Sequence, residues 1–396
     1  MLSPDRAEAR LSGLMAAIYA IIGVQLPFFT LWLAARGLSA REIAAVMAAA
    51  PLIRIVSTLV ASREGDRHGA HGAILVGCLA AVTAAFAVMG ALHGFWSIFA
   101  AVALLAAAQG PTGVLADGII LAEARRRQER ATKALDYAAV RGWGSASILF
   151  FMLIAGPIAA IVANDDLVWL HMVVAGLATA AAFGALRGFE GPAAGGRMAQ
   201  GAPREALTMI GLTIAATVLI QCSHGFVNAF GPLLWKASGH DENFVALAWA
   251  AALVTEIGFF FAAGRWLGGA RNAFLFLVLG GIAATLRWLW MASDPGTLGL
   301  YAAQALHGVS CAAVQLGPAY LLAELFGRER IAQSQGWLAA GNAAGSALAV
   351  YASGPLYESF GVRGYLGMAA LSAAGLALTA VIALRRPSPH RRVRSP

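Results

Sequence analysis

The chain has 396 residues, of which 59% are hydrophobic and only 12% charged, with a mean hydropathy of +0.71. Soluble domains carry about 25% charged residues, so this composition excludes an ordinary soluble enzyme or binding module. The net charge of +8 is spread over many short segments, which argues against a nucleic-acid surface.

Apolar runs long enough to cross hydrocarbon recur along the whole chain. Twelve transmembrane helices are predicted, over 11–35, 40–62, 71–92, 94–122, 137–163, 166–187, 205–235, 243–266, 271–292, 296–325, 331–356 and 363–384. Three of the 28 Lys and Arg residues (Arg54, Arg141 and Arg287) fall inside these runs. With the N-terminus inside, 21 of the remaining 25 face the cytoplasm, and only Arg36, Arg41, Lys236 and Arg363 lie outside. That asymmetry follows the positive-inside rule and places both termini in the cytoplasm. The expected location is a bacterial cytoplasmic (inner) membrane, crossed many times.

The informative residues are those that contradict their apolar surroundings. A charge at a bilayer centre costs at least about 2.5–3.5 kcal/mol, so it is kept for a pairing or transport role. In the second span Arg54 is such a charge, a candidate for the cargo path or for pairing with an acid such as Asp117 or Glu256. After it, 63–72 reads REGDRHGAHG, a charged loop on the cytoplasmic side. In the fourth span Asp117 precedes Arg125 by eight residues, about 12 Å of helix. Arg141 enters the fifth span to a comparable depth, and consecutive helices are antiparallel, so an Asp117–Arg141 pair is expected. Paired, they form either a static clamp or a substrate anchor, the planar fork of arginine being suited to a carboxylate.

The stretch 188–204 is polar and rich in Gly and Pro, and reads as a cytoplasmic linker. It separates a first six-helix bundle over 1–187 from a second over 205–396 that ends in a basic tail. The halves share a signature: GPTGVLAD at 110–117 and GPAYLLAE at 317–324 fall in the fourth and tenth spans, equivalent places in a duplicated array. In the seventh span His224 and Asn228 are four residues apart, so one helix would put them on one face. Glu256, Arg287 and His307 then occupy three successive spans. Together they suggest a proton-exchangeable acid whose charge state a neighbouring cation can bias. Gln25, Gln304 and Gln315 are read as interhelical hydrogen-bonding groups, and Cys78, Cys222 and Cys311 as small core residues. No metal site is expected.

The segments DYAAVRGWGSAS (136–147), LVTEIGFF (253–260), LRWLWM (286–291), QALHG (304–308) and VQLPFFTLWLAARGLS (24–39) resemble the phenylpropionate permease family of the major facilitator superfamily. The loop at Asp66, Arg67 and Gly69 is similar to that superfamily's gating motif, and the resemblance implies a cytoplasmic gate at Asp66 and Arg67. The resemblance implies two pseudo-symmetric six-helix bundles and a related clan of lactose-type oligosaccharide:proton symporters. In that clan the positions matching Asp117 and Arg141 hold substrate, and those matching Glu256, Arg287 and His307 serve substrate binding and proton coupling. Two departures, Ser310 where those carriers place a second acid and Ile148 where they place a sugar-stacking tryptophan, point away from a disaccharide.

The expected function is a proton-coupled symporter importing a small organic acid, such as an aromatic carboxylate, by alternating access. Substrate contacts are expected from Arg141, Asp117, Arg54, His224 and Asn228, and coupling from Glu256, Arg287 and His307. Its partners are the small-molecule substrate, the proton and membrane lipid; no cofactor and no nucleic acid are expected, and the chain is read as a monomer. The alternatives are a sugar- or nucleoside:proton symporter and a proton-antiport exporter. A membrane enzyme has less support, because the only adjacent acid pairs, Asp165–Asp166 and Asp241–Glu242, sit in short external loops.

Overall fold

The computed structural model describes residues 4–130, 135–187, 189, 204–265, 272–326 and 331–385. Among them every regular element is helical. The first half contributes α1 (Pro4–Ala35), α2 (Ala40–His68), α3 (His71–Met89), α4 (Phe95–Glu129), α5 (Tyr137–Ile161) and α6 (Leu167–Ala185). The second half contributes α7 (Arg204–Cys222), α8 (Gly225–Ala237), α9 (Glu242–Arg265), α10 (Ala273–Ala292), α11 (Thr297–Ala305), α12 (Ala313–Phe326), α13 (Ile331–Phe360) and α14 (Tyr365–Arg385). A π-helical turn, Gly308–Ala312, separates α11 from α12. Apart from Phe189 and Arg204, the predicted linker 188–204 lies outside the described residues, as does the basic tail beyond Arg385.

Among the described residues, eleven stretches are long and apolar enough to cross a membrane. The last, Gly336–Leu384, runs 49 residues. That would be about 74 Å of straight helix, more than twice a hydrocarbon core. The 3₁₀ turn Gly361–Gly364 divides it into α13 and α14, at the predicted boundary between the last two spans. Large apolar side chains such as Leu59, Trp96, Ile161, Leu177, Leu348 and Leu384 are exposed, which suits a surface solvated by lipid.

Local chemistry explains the helix ends that matter for function. Ser39 and Glu42 form a reciprocal capping box that starts α2. At the other end Gly69, with φ +62°, supplies the left-handed cap. α2 therefore continues to His68, and Asp66 and Arg67 belong to its last turn rather than to the predicted loop. The Asp136 carboxylate accepts from the Ala139 N–H at 3.0 Å and starts α5 five residues before Arg141. Asp241 caps α9 by accepting from the Phe244 N–H at 2.8 Å, and this bond holds its carboxyl below the usual carboxylate range.

Two departures from the predicted spans are informative. The predicted seventh span divides into α7 and α8 at Ser223–His224. The Ser223 hydroxyl donates back to the Ile220 carbonyl and accepts the indole N–H of Trp288 at 2.8 Å, which stabilises the break. The predicted tenth span contains the π turn, where a Cβ on Gly308 would lie 2.4 Å from the backbone of Thr255. That close approach to α9 shapes the helix where His307 and Cys311 sit.

The chain divides into two compact units. The first comprises Met1–Gly196, Val227–Ala251 and Val350–Gly361. Within it α1 packs on α5 and α6, and α4 on α2 and α3. Segments from the second sequence half complete this unit: Gly156 lies against Ala246, Gly354 against Ala40 and Ala44, and Phe230 stacks on Tyr357. Arg41 pairs with Glu358 at 2.6 Å. The second unit comprises Arg197–Phe226, Ala252–Ala349 and Val362–Pro396. In it α14 packs on α7 and α10, and α12 packs on the same two helices.

Candidate functional site

The first unit holds two polar clusters along α4. One joins Asp117 to α5 and α1. Arg141 Nε lies 3.6 Å from Asp117 Oδ1, and the Tyr137 hydroxyl donates to the same oxygen at 3.1 Å. The Arg141 guanidinium sits over the Tyr19 ring, 4.4 Å from its centroid. The predicted pair is therefore present. Both side chains remain partly exposed, at 36% and 28%, so this ion pair stays reachable by a ligand.

The other cluster lies two turns earlier on α4. Arg54 Nη2 donates to Gln109 Oε1 at 2.7 Å, and the Gln109 amide donates to Gln25 Oε1 at 2.8 Å. Arg54 is thus paired with neither of the acids considered for it. Gly110 lets α2 come this close, since a Cβ there would lie 2.9 Å from Arg54 Cα.

The second unit holds a relay. Arg287 is fully buried and donates to His307 Nδ1 at 3.0 Å and to Gln304 Oε1, with its guanidinium over the Trp288 ring. Across the imidazole, His307 Nε2 faces Glu256 Oε2 at 3.6 Å. Gln315 donates to Glu256 Oε1 at 2.9 Å. A guanidinium carries only donors, so His307 Nδ1 must offer a lone pair to it. The neutral ring then carries its hydrogen on Nε2, pointed at Glu256. His307 therefore stands between the acid and the permanent cation.

His224 sits beside this relay, its ring 5.3 Å from that of His307 and 5.0 Å from that of Trp288. Its Nδ1 donates to the Gln221 carbonyl, which leaves Nε2 to accept the Ser310 hydroxyl at 3.2 Å. The helix breaks at Ser223–His224, so His224 sits in the turn just before α8 and Asn228 lies within α8; Asn228 belongs to the first unit. Asp66 Oδ1 accepts from His71 Nε2 at 3.0 Å and ties the end of α2 to the start of α3, while Arg67 is exposed.

Glu256, His307 and Cys311 present ligand-type atoms within 4.8 Å of one another. Their chemistry does not favour a cation. Arg287 occupies the imidazole lone pair, Gln315 donates to the Cys311 sulfur at 3.1 Å, and a fixed positive charge already stands beside the ring. The Glu256 carboxylate is instead braced by one N–H donor, Gln315, with the imidazole facing it across 3.6 Å.

Comparison with known proteins decides the family. Residues 9–366 match the family described as MFS_1 like family. The chain belongs to the MFS_1 like family. The "Probable 3-phenylpropionic acid transporter" of Escherichia coli (strain K12) is 26% identical over 290 residues, covering 72% of this chain and 74% of that protein. Among solved structures, the nucleoside transporter NupG (D323A mutant) superposes with a TM-score of 0.82 at 14% identity, over 95% of this chain and 99% of that one. An auto-inhibited POT family peptide transporter gives 0.71 at 10% identity, over 97% and 99%. At these identities the structures speak for the fold alone. The MFS_1 like chain is thus an integral, multi-pass membrane protein and an MFS-type transporter, and its family resemblance was readable from the sequence.

Several partners of the MFS_1 like site are not among the residues picked out in the sequence. Tyr19 and Tyr137 frame the Arg141–Asp117 pair, Gln109 orients Arg54, and His71 holds Asp66. Tyrosines and glutamines are ordinary components of apolar helices, and their role emerges only from the packing of neighbouring helices.

Proposed function

We propose that the protein is a proton-coupled symporter that imports a small organic acid, an aromatic carboxylate being the favoured class, by alternating access. The observation that supports this reading best is the Glu256–His307–Arg287 chain. A transporter without ion coupling has no need of an acid facing an imidazole whose hydrogen is aimed at it by a buried arginine. Ionised Glu256 accepts from Gln315 and attracts the His307 N–H 3.6 Å away, and so ties α9 to the tenth span. Protonated Glu256 loses the charge those donors serve, and the tie weakens. Cargo binding and proton loading can then decide together when the helices move.

Within the first unit Arg54, Arg141, Asp117 and Asn228 serve as contacts for the cargo. The relative from Escherichia coli supports the substrate class, since its name specifies 3-phenylpropionic acid. A transporter rather than an enzyme also fits the acids outside the spans. Asp165 pairs with Arg36 at 2.8 Å, and Asp241 caps α9, so neither pair is arranged for catalysis. No cofactor beyond the proton is invoked, and Asp66 and Arg67 are assigned to a cytoplasmic gate.

Glu256→Gln tests the reading in proteoliposomes. The amide keeps the shape but cannot exchange a proton. Uphill accumulation of 3-phenylpropionate under an inward proton gradient should be abolished while substrate exchange persists. Full accumulation by this variant would refute the proton role.

A further inference from the structure

We infer that Arg54 is the residue that binds the cargo's carboxylate, and that Arg141 is not. The inference rests on the reading that the cargo is an organic acid and assigns the charge recognition within it.

The three arginines of the spans differ in what neutralises them. Arg141 has Asp117 as a counter-ion. Arg287 is enclosed by His307, Gln304 and Trp288. Among the described residues the Arg54 guanidinium has one hydrogen-bond partner, the neutral Gln109 carbonyl, and its Nε is buried without one. Among the described residues no carboxylate oxygen lies within 4.0 Å of it. A guanidinium carries five N–H donors in a planar fork, and a carboxylate can accept from two of them at once. Leaving such a group in hydrocarbon without an anion is costly.

The surroundings look built to aim this fork. Gln25 takes the Gln109 amide hydrogens, which turns the Gln109 carbonyl toward Arg54. The Ser57 hydroxyl donates to the Arg54 carbonyl at 3.2 Å, and Gly110 removes the side chain that would separate α2 from α4. These contacts orient the cation and leave its charge unopposed. Arg54 also lies fourteen residues from either end of α2, about 21 Å of helix. That depth places it far from lipid headgroups, so the anion it awaits is a carboxylate solute.

The test is binding of 3-phenylpropionate and its neutral amide, 3-phenylpropionamide, to purified protein by titration calorimetry. The wild type should prefer the acid. Arg54→Gln should lower affinity for the acid about tenfold or more, the usual worth of a charge-assisted contact, and leave the amide unchanged. Arg141→Gln should retain the preference for acid over amide. Gln109→Glu guards against a folding defect at Arg54, because it supplies a built-in counter-ion; it should weaken acid binding while the protein stays folded. Undiminished acid preference in Arg54→Gln, or wild-type acid affinity in Gln109→Glu, would overturn the assignment and leave the organic-acid reading intact. Equal binding of acid and amide by the wild type would overturn both.

Discussion

At His307 a single hydrogen bond decides the chemistry of the proposed coupling site. Arg287 donates to Nδ1, so a second proton on the ring would set two donors against each other. With Nδ1 accepting from Arg287, the neutral imidazole carries its hydrogen toward Glu256, and the carboxylate is the group proposed to gain and lose the proton. Replacing Arg287 by lysine keeps the charge but not the fork, and an ammonium cannot replace both bonds, to His307 and Gln304, in their present geometry. Proton-driven uptake by Arg287→Lys, measured as an initial rate, should fall about tenfold or more, from the loss of one charge-assisted bond. Wild-type rates would mean that Arg287 is a packing residue.

Between helices, glycine sets the distances that bring these side chains together. A Cβ on Gly308 would lie 2.4 Å from Thr255, and one on Gly110 would lie 2.9 Å from Arg54 Cα, whereas one on Gly13 meets nothing within 4 Å. Overpacking of this kind costs about 1–3 kcal/mol. Gly308→Ala and Gly110→Ala should therefore lower the unfolding midpoint in detergent while Gly13→Ala leaves it unchanged; equal midpoints for the three would contradict the close-packing account. The Arg41–Glu358 pair belongs to a different category. Arg41 is 69% exposed, and exposed pairs contribute only about 0.2–1 kcal/mol. Arg41→Ala should barely move the midpoint.

Element geometry also marks how much was legible beforehand. The Asp117–Arg141 pair followed from counting residues into two antiparallel helices, and the Glu256, Arg287 and His307 cluster from three successive spans. Their order within the cluster did not follow. The imidazole stands between acid and arginine just before a π turn, where Gly308 packs closely on α9, and neither feature is visible in the sequence pattern. The break at Ser223–His224 was hidden for a similar reason: it is held by the indole of Trp288, 65 positions away. Periodicity reports which faces are apolar and says little about such long-range contacts.

For the whole molecule, charge balance gives a further expectation. One carboxylate at Arg54 moving with one proton at Glu256 transfers no net charge. A monoanion moving alone would respond to membrane potential by about 2.3 kcal/mol per 100 mV, about fiftyfold in accumulation. Uptake of 3-phenylpropionate into proteoliposomes should follow an imposed pH gradient and be indifferent to an imposed potential. A strong dependence on potential would require a different stoichiometry.

The most direct measurement is the proton itself. Adding 3-phenylpropionate to de-energised proteoliposomes in lightly buffered medium should produce an immediate alkalinisation outside, as protons enter with the cargo, and Glu256→Gln should abolish it. Cargo entry through the wild-type protein with no change in external pH would contradict proton coupling.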